Sequence, residues 1–179
     1  MMKTLQVKTG RPYEIRIERG CLRRCGALIR SVSKAQKAAV ITDSNVGPLY
    51  AGVAAASLKE AGFHTFTHVF PAGEGSKALC SIGDMLSFLA GNAFTRGDLI
   101  VALGGGVTGD MAGFAAAIYM RGIDYIQIPT SLLAQIDSSV GGKTAVDLPQ
   151  GEKSVRRILA AAAGSHRPGA SLHPASPLF

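Results

Sequence analysis

The run Asp98-Leu-Ile-Val-Ala-Leu-Gly-Gly-Gly-Val-Thr-Gly-Asp110 carries an apolar stretch straight into Gly104, Gly106 and Gly109, a GxGxxG spacing that opens a helix-compatible segment. Glycine has no Cβ, so a pyrophosphate can reach backbone amides at such a helix start, where the dipole favours negative charge. The spacing alone is weak, because glycine-rich strand exits also serve tight helix–sheet packing. The strand–turn–helix context favours phosphate. Further polar candidates are Asp43 and Asn45, then Glu74 and Lys77, and finally Asp137 and Lys143, the last directly after two glycines. Each also has a plainer use: a turn with a helix cap, a surface charge pair, an exposed charge. His64 and His68 have the i, i+4 spacing of a metal pair on a helix. Their surroundings read as strand, which would separate them by about 13 Å, so no metal site is expected there.

The elements around these residues alternate. Residues 3–8 and 13–17 alternate apolar and polar side chains about Gly10-Arg11-Pro12, predicting a β-hairpin with Tyr13, Ile15 and Ile17 on one face. A short helix over 22–31 follows. Strands are predicted at 37–42, 63–70, 98–103 and 124–128, and helices at 46–61, 78–91 and 107–120. Over 78–91, Leu79, Ile82, Leu86 and Leu89 recur at a helical period. Strands alternating with helices imply an α/β fold with a Rossmann-like, doubly wound, mostly parallel sheet. Such a sheet binds ligands at the carboxyl ends of its strands. The loops at 43–45, 71–77, 104–110 and 129–131 therefore form the expected site.

Composition bounds the partners. The 179 residues carry a formal charge of +7, yet residues 1–150 hold 15 Lys and Arg against 11 Asp and Glu, with no aromatic residues interleaved. That pattern argues against a nucleic-acid surface. Three cysteines without CxxC spacing argue against a disulfide framework or a zinc knuckle. No apolar run reaches the length of a membrane span, and no apolar signal core is present at the start, so a cytoplasmic protein is expected.

Three consecutive blocks make the reading specific: Gly104-Gly-Gly-Val-Thr-Gly-Asp-Met-Ala-Gly-Phe114, Tyr119-Met-Arg-Gly-Ile123, and Pro129-Thr-Ser-Leu-Leu-Ala-Gln-Ile-Asp-Ser-Ser-Val-Gly-Gly-Lys-Thr144. Together with Asp43-Ser-Asn45 and Pro71-Ala-Gly-Glu-Gly-Ser-Lys77, they resemble the signature of 3-dehydroquinate synthase over residues 1–151. The resemblance implies an NAD-dependent lyase that converts 3-deoxy-arabino-heptulosonate 7-phosphate to 3-dehydroquinate and phosphate in the shikimate pathway. It also implies a divalent metal, zinc or cobalt, and a homodimer in the full-length family. By the same resemblance, Asp43 and Asn45 contact the adenosine end of NAD, and Glu74 and Lys77 form the next cofactor loop. Gly105, Gly106 and Val107 contact the pyrophosphate through their backbone, Thr108 and Gly109 belong to the same cofactor-binding turn, and Asp110 meets the nicotinamide ribose. Thr130 and Ser131 contribute cofactor-contacting hydroxyls, where the family usually has two threonines. Arg121, Asp137 and Lys143 lie on the side of the sugar-acid phosphate, with Lys143 near the cofactor as well.

The pattern breaks after Gly151. The family continues with Lys-Asn-Leu and then Gly-Ala-Phe, whereas this chain reads Glu152-Lys-Ser-Val-Arg-Arg-Ile158. Loss of one base from codon 152 would permit the family order, so a frameshift is expected, with residues 152–179 a disordered, non-family tail beside an NAD-binding domain at 1–151. The family's metal ligands, a glutamate and two histidines, belong to a helical domain expected to be absent, and the chain alone is expected to be inactive. A non-catalytic NAD-binding fragment and a related sugar-phosphate cyclase are the competing functions. A metal-dependent alcohol dehydrogenase of similar architecture is disfavoured by the block at 129–144.

Overall fold

In the computed structural model, residues 2–7, 12–140, 143–148, 151–158 and 170–174 are described. The chain opens with β1 (Lys3–Val7) and β2 (Tyr13–Glu18), paired antiparallel with Lys3 opposite Ile17 and Val7 opposite Tyr13. Tyr13 and Ile15 are buried on the face that the alternation predicts. The first helix begins as a 3-10 turn at Cys21–Arg24 and becomes α1 at Cys25–Arg30.

Four neighbouring strands run parallel: β3 (Lys37–Asp43), β4 (His64–Phe70), β5 (Leu99–Gly104) and β6 (Asp124–Pro129), with β4 at the edge of the sheet. Their helices are α2 (Gly52–Glu60), entered through a π-helical turn at Gly47–Ala51, then α3 (Leu79–Gly91) and α4 (Gly106–Ile118). With β9 (Ala170–Pro174) the seven-stranded sheet has the order β1-β2-β9-β6-β5-β3-β4, and a separate pair joins β7 (Lys143–Leu148) to β8 (Gly151–Ile158). Strand β9 lies parallel between β2 and β6. Strands β8 and β9 thus fall largely within residues 152–179, the stretch expected from the sequence to be a disordered, non-family tail.

The period of two decides which helices cover which face. Val40, Leu99, Val101 and Leu103 pack with Leu28, Ile29 and Leu58 of α1 and α2. Ala39, Ile41, Ile100 and Ala102 pack with Met85, Leu89, Met111 and Ala115 of α3 and α4. Both faces of β3 and β5 are covered, which is why these two strands read as nearly unbroken apolar runs, whereas β4 lies at the sheet edge and mixes polar with apolar residues. On α3 the buried stripe is Ile82, Met85 and Leu89, while Leu79 is half exposed. Leu79 is the first helical residue and projects past the edge of the core.

Chain order creates a crevice. From β3 the chain moves to β4 on one side, then returns to β5 on the other, so the connections leave β3 and β5 in opposite directions. At that switch point their carboxyl ends stay uncovered, which is where open α/β sheets take ligands. Among the described residues no helix is long and apolar enough to cross a membrane.

Candidate functional site: an anion cradle at the switch point

The floor of the crevice is the first turn of α4. Its N-cap, Gly105, has extended backbone (φ −79°, ψ −163°) and offers no side-chain cap. The first bond closing the helix is that of Gly109 N to Gly105 O at 3.0 Å. The amides of Gly106, Val107 and Thr108 therefore lack intrahelical partners, as at any uncapped helix start. A positive dipole end with unclaimed donors is suited to an anion.

The glycines serve close approach in different ways. A methyl group on Gly105 would stand 3.5 Å from Ser131 Oγ, and one on Gly106 would stand 3.2 Å from Ser138 Oγ. Gly109 faces inward instead, where a methyl group would meet Gln127 Oε1 at 3.0 Å, and Tyr125 donates its hydroxyl to the Gly109 carbonyl at 2.6 Å. The third glycine of the GxGxxG spacing is thus a helix–sheet packing residue. Val107 is partly buried against the core between α3 and α4.

Asp43 ends β3 beside this turn. Its Oδ1 accepts from the amides of Asn45 and Val46, both at 2.9 Å, and its Oδ2 accepts from Thr108 Oγ1 at 3.2 Å. Turn-capping is therefore its observed use, and the Thr108 bond ties the two sides of the switch point together. Thr108 is almost fully buried and acts through Asp43 rather than facing the crevice. Asn45 is exposed. Ser44 links the loop to the end of β4: its amide donates to Phe70 O at 2.8 Å and its Oγ accepts from Ala72 N at 3.0 Å.

The loop at 71–77 contains a 3-10 turn at Glu74–Ser76, which delivers Lys77 to the crevice. Lys77 Nζ lies 2.8 Å from Asp110 Oδ2 and 3.4 Å from Glu74 Oε1. Its backbone carbonyl accepts from Asp147 N at 2.8 Å, which fastens the loop to β7. Burial acts against the ammonium, yet the Asp110, Glu74 and Asp147 carboxylates together hold its pKa above the ordinary value. Asp110 also titrates above its ordinary range. Burial is the largest cause, and the two further carboxylates reinforce it against the single lysine.

Thr130 donates its amide to Gly104 O at 2.9 Å, and Ser131 Oγ accepts from Ala134 N at 3.2 Å, starting the turn that continues as a π-helical stretch at Ala134–Ser138. Thr130, Ser131 and Ser138 thus border the cradle. Asp137, on the same turn, is exposed. Lys143 opens β7; its side chain lies outside the described residues, as do Gly141 and Gly142.

Arg121 is not brought to this crevice. Helix α4 runs antiparallel to the strands, and its 13 residues span about 20 Å. Arg121 follows that helix, at the opposite edge of the sheet, where it borders a hollow with Thr95, Arg96 and Met120. Met120 and Arg121 both hold positive φ there, 48° and 67°. His64 and His68 lie on strand β4, and the His68 ring packs on Phe88 with centroids 5.0 Å apart. Burial lowers the His68 pKa. Among the described residues no group of three or more His, Cys, Asp or Glu could hold a metal ion.

Nothing in the sequence singles out Ser138, although Asp137-Ser-Ser139 lies inside the most specific block. Only the packing of the turn on α4 separates the three: Asp137 points outward, Ser138 stands over Gly106, and Ser139 is buried.

A family model described as the 3-dehydroquinate synthase N-terminal domain matches residues 67–163, more than half of the chain. The chain belongs to this family. It is 54% identical over 138 residues to 3-dehydroquinate synthase of Streptococcus suis, covering 77% of this chain and 39% of that protein. It is 50% identical over 155 residues to the synthase of Lactiplantibacillus plantarum, covering 86% and 43%. The chain spans about two fifths of the length of the curated relatives it matches.

Solved structures agree in fold. A 2-deoxy-scyllo-inosose synthase complexed with carbaglucose-6-phosphate, NAD+ and Co2+ matches with TM-score 0.84 and 27% identity, over 96% of this chain and 45% of that one. A 2-epi-5-epi-valiolone synthase from Streptomyces hygroscopicus, with NAD+ and Zn2+ bound, matches with TM-score 0.74 and 27% identity, over 96% and 44%. An iron-containing alcohol dehydrogenase, 16% identical with TM-score 0.72, shares the fold alone.

Proposed function

We propose that this chain provides the NAD-binding part of a 3-dehydroquinate synthase, acting in the conversion of 3-deoxy-arabino-heptulosonate 7-phosphate to 3-dehydroquinate and phosphate. The observation that supports it best is the uncapped start of α4 at the switch point, where three unclaimed amides stand between Asp43 on one side and Ser131 on the other. The residues present fit a dinucleotide. Gly106 and Val107 would hold the diphosphate through their amides, with Gly105 at the N-cap beside them, and Asp43 stands where an adenosine ribose would meet a carboxylate. Lys77 offsets phosphate charge while holding Asp110 for the second ribose. NAD supplies a hydride acceptor and donor, so that a ring hydroxyl can be oxidised transiently and the neighbouring carbon acidified. The chain's own part is to bind, orient and balance charge.

The described residues do not fit a metal, so no step is assigned to one here. On this reading residues 1–151 are the NAD-binding domain, and residues 152–179 arise from a one-base shift, which sequencing the gene around codon 152 tests. Asp137 and Lys143 are assigned to the substrate side. Arg121, at the far edge of the sheet, has no part in this crevice. A related sugar-phosphate cyclase activity is the second reading, favoured by the likeness to the inosose synthase.

Calorimetric titration of the 179-residue chain with NAD tests the binding claim. One-site binding supports it, and a folded chain that takes up no heat refutes it. Phosphate release from 3-deoxy-arabino-heptulosonate 7-phosphate tests the rest: the chain alone is expected to bind without turnover, and turnover matching a full-length relative would refute the division of labour.

A further inference from the structure

The turn after β6 sets two hydroxyls over the head of α4, and only one of them has a structural task. Ser131 Oγ starts that turn by accepting from Ala134 N. Ser138 Oγ has no hydrogen-bond partner among the described residues, and it stands 3.2 Å from where a methyl group on Gly106 would be. In an α-helix the Cα–Cβ bond tilts toward the N-terminus. An atom near that position therefore lies on the side where the first-turn amides point. Gln135 anchors the turn from beneath: its amide donates to Ser131 O at 3.0 Å and its side chain to Pro129 O at 3.4 Å. Ser138 is held at the rim by the backbone around it, with its proton uncommitted.

We propose that Ser138 is a further ligand of the dinucleotide diphosphate, donating its hydroxyl to a phosphate oxygen seated on the amides of Gly106 and Val107. The proposal rests on the NAD reading above. A hydroxyl suits the position because a phosphate oxygen needs donors around it, and the first-turn amides approach from the helix side only. Ser139, buried and engaged elsewhere, cannot substitute, and Asp137 carries the wrong charge. Gly106 then has a double purpose: it leaves its amide open and leaves room for the serine beside it.

The test compares the unaltered chain with Ser138→Ala and Ser138→Thr, titrated with NAD, with ADP-ribose and with adenosine. Losing one hydrogen bond to a charged oxygen is expected to weaken NAD and ADP-ribose roughly tenfold in Ser138→Ala. Adenosine, which lacks phosphate, is expected to bind all three proteins equally, and Ser138→Thr is expected to keep affinity close to that of the unaltered chain. Equal ADP-ribose affinity in Ser138→Ala would overturn the proposal, and so would a parallel loss for adenosine, which marks a merely structural change. If the unaltered chain, folded by circular dichroism, binds neither NAD nor ADP-ribose, the underlying NAD reading fails instead.

Discussion

Replacing Lys77 with methionine removes one cation from among three carboxylates while keeping most of the side-chain volume. At 2.8 Å and an effective dielectric of about 20, the Lys77–Asp110 attraction is roughly 6 kcal/mol before desolvation. Both side chains are mostly withdrawn from water, at 14% and 21% exposure, and burial is the largest influence on each, so most of that attraction is offset. A net loss of about 2 kcal/mol remains, because Asp110 is left beside Glu74 and Asp147 without a counter-charge. For a chain of this size that lowers the melting temperature by about 4–8 °C. Acid should narrow the gap. Asp110 already titrates above its ordinary 3.8, and Lys77→Met pushes it higher. A carboxyl raised in the folded state contributes most below its unfolded pKa, and that contribution is lost as pH rises through the folded value. The variant's deficit is therefore expected in full at neutral pH and is expected to shrink as pH falls through the carboxylate range. Thermal melts from pH 7 downward, with Asp110→Asn added to Lys77→Met, measure this. Equal melting at pH 7, a pH-independent deficit, or no recovery on adding Asp110→Asn would refute the reasoning.

Other expectations follow from single contacts. Thr108→Val should cost about 1–2 kcal/mol, since Asp43 Oδ2 loses its buried donor, and should weaken NAD binding, while Thr108→Ser retains both; chemical denaturation and NAD titration read this out. Gly26→Ala should cost about 3 kcal/mol in a denaturant melt, because the new methyl group would run into the Ser57 carbonyl and stand 2.9 Å from Leu58 Cα where α1 crosses α2. Of the three cysteines only Cys80 is exposed, so one thiol should react readily in the native protein and three after unfolding. Burial pushes the Cys25 thiol up to about 11, so its contribution to stability should be lost as pH rises from about 9 through 11, visible as a falling melting temperature in alkali. NAD at a hundred times its Kd should stabilise the chain by about 2.7 kcal/mol, which a thermal shift detects.

The sequence by itself determined the hairpin, the alternation of strands and helices, and the glycine-rich strand exit. These are local properties: a period of two, a period near 3.6, and the missing Cβ of glycine act over a few residues. It also delivered the family through the block from Pro129 to Thr144, whose residues stay recognisable without coordinates. What it could not deliver was which side of an element each polar group serves. Gly109 shares the glycine spacing but packs on Tyr125 and Gln127, and Thr108 lies among the cradle residues but turns inward to Asp43. Arg121 and Asp137 stand in consecutive blocks of the family signature, yet α4 carries Arg121 to the other end of the sheet. Ser138 gained its place from the packing of one turn over Gly106. In each case the deciding neighbour is far along the chain, brought close only by the order β4-β3-β5-β6, and a pattern read along one strand of sequence carries no record of contacts made across that sheet.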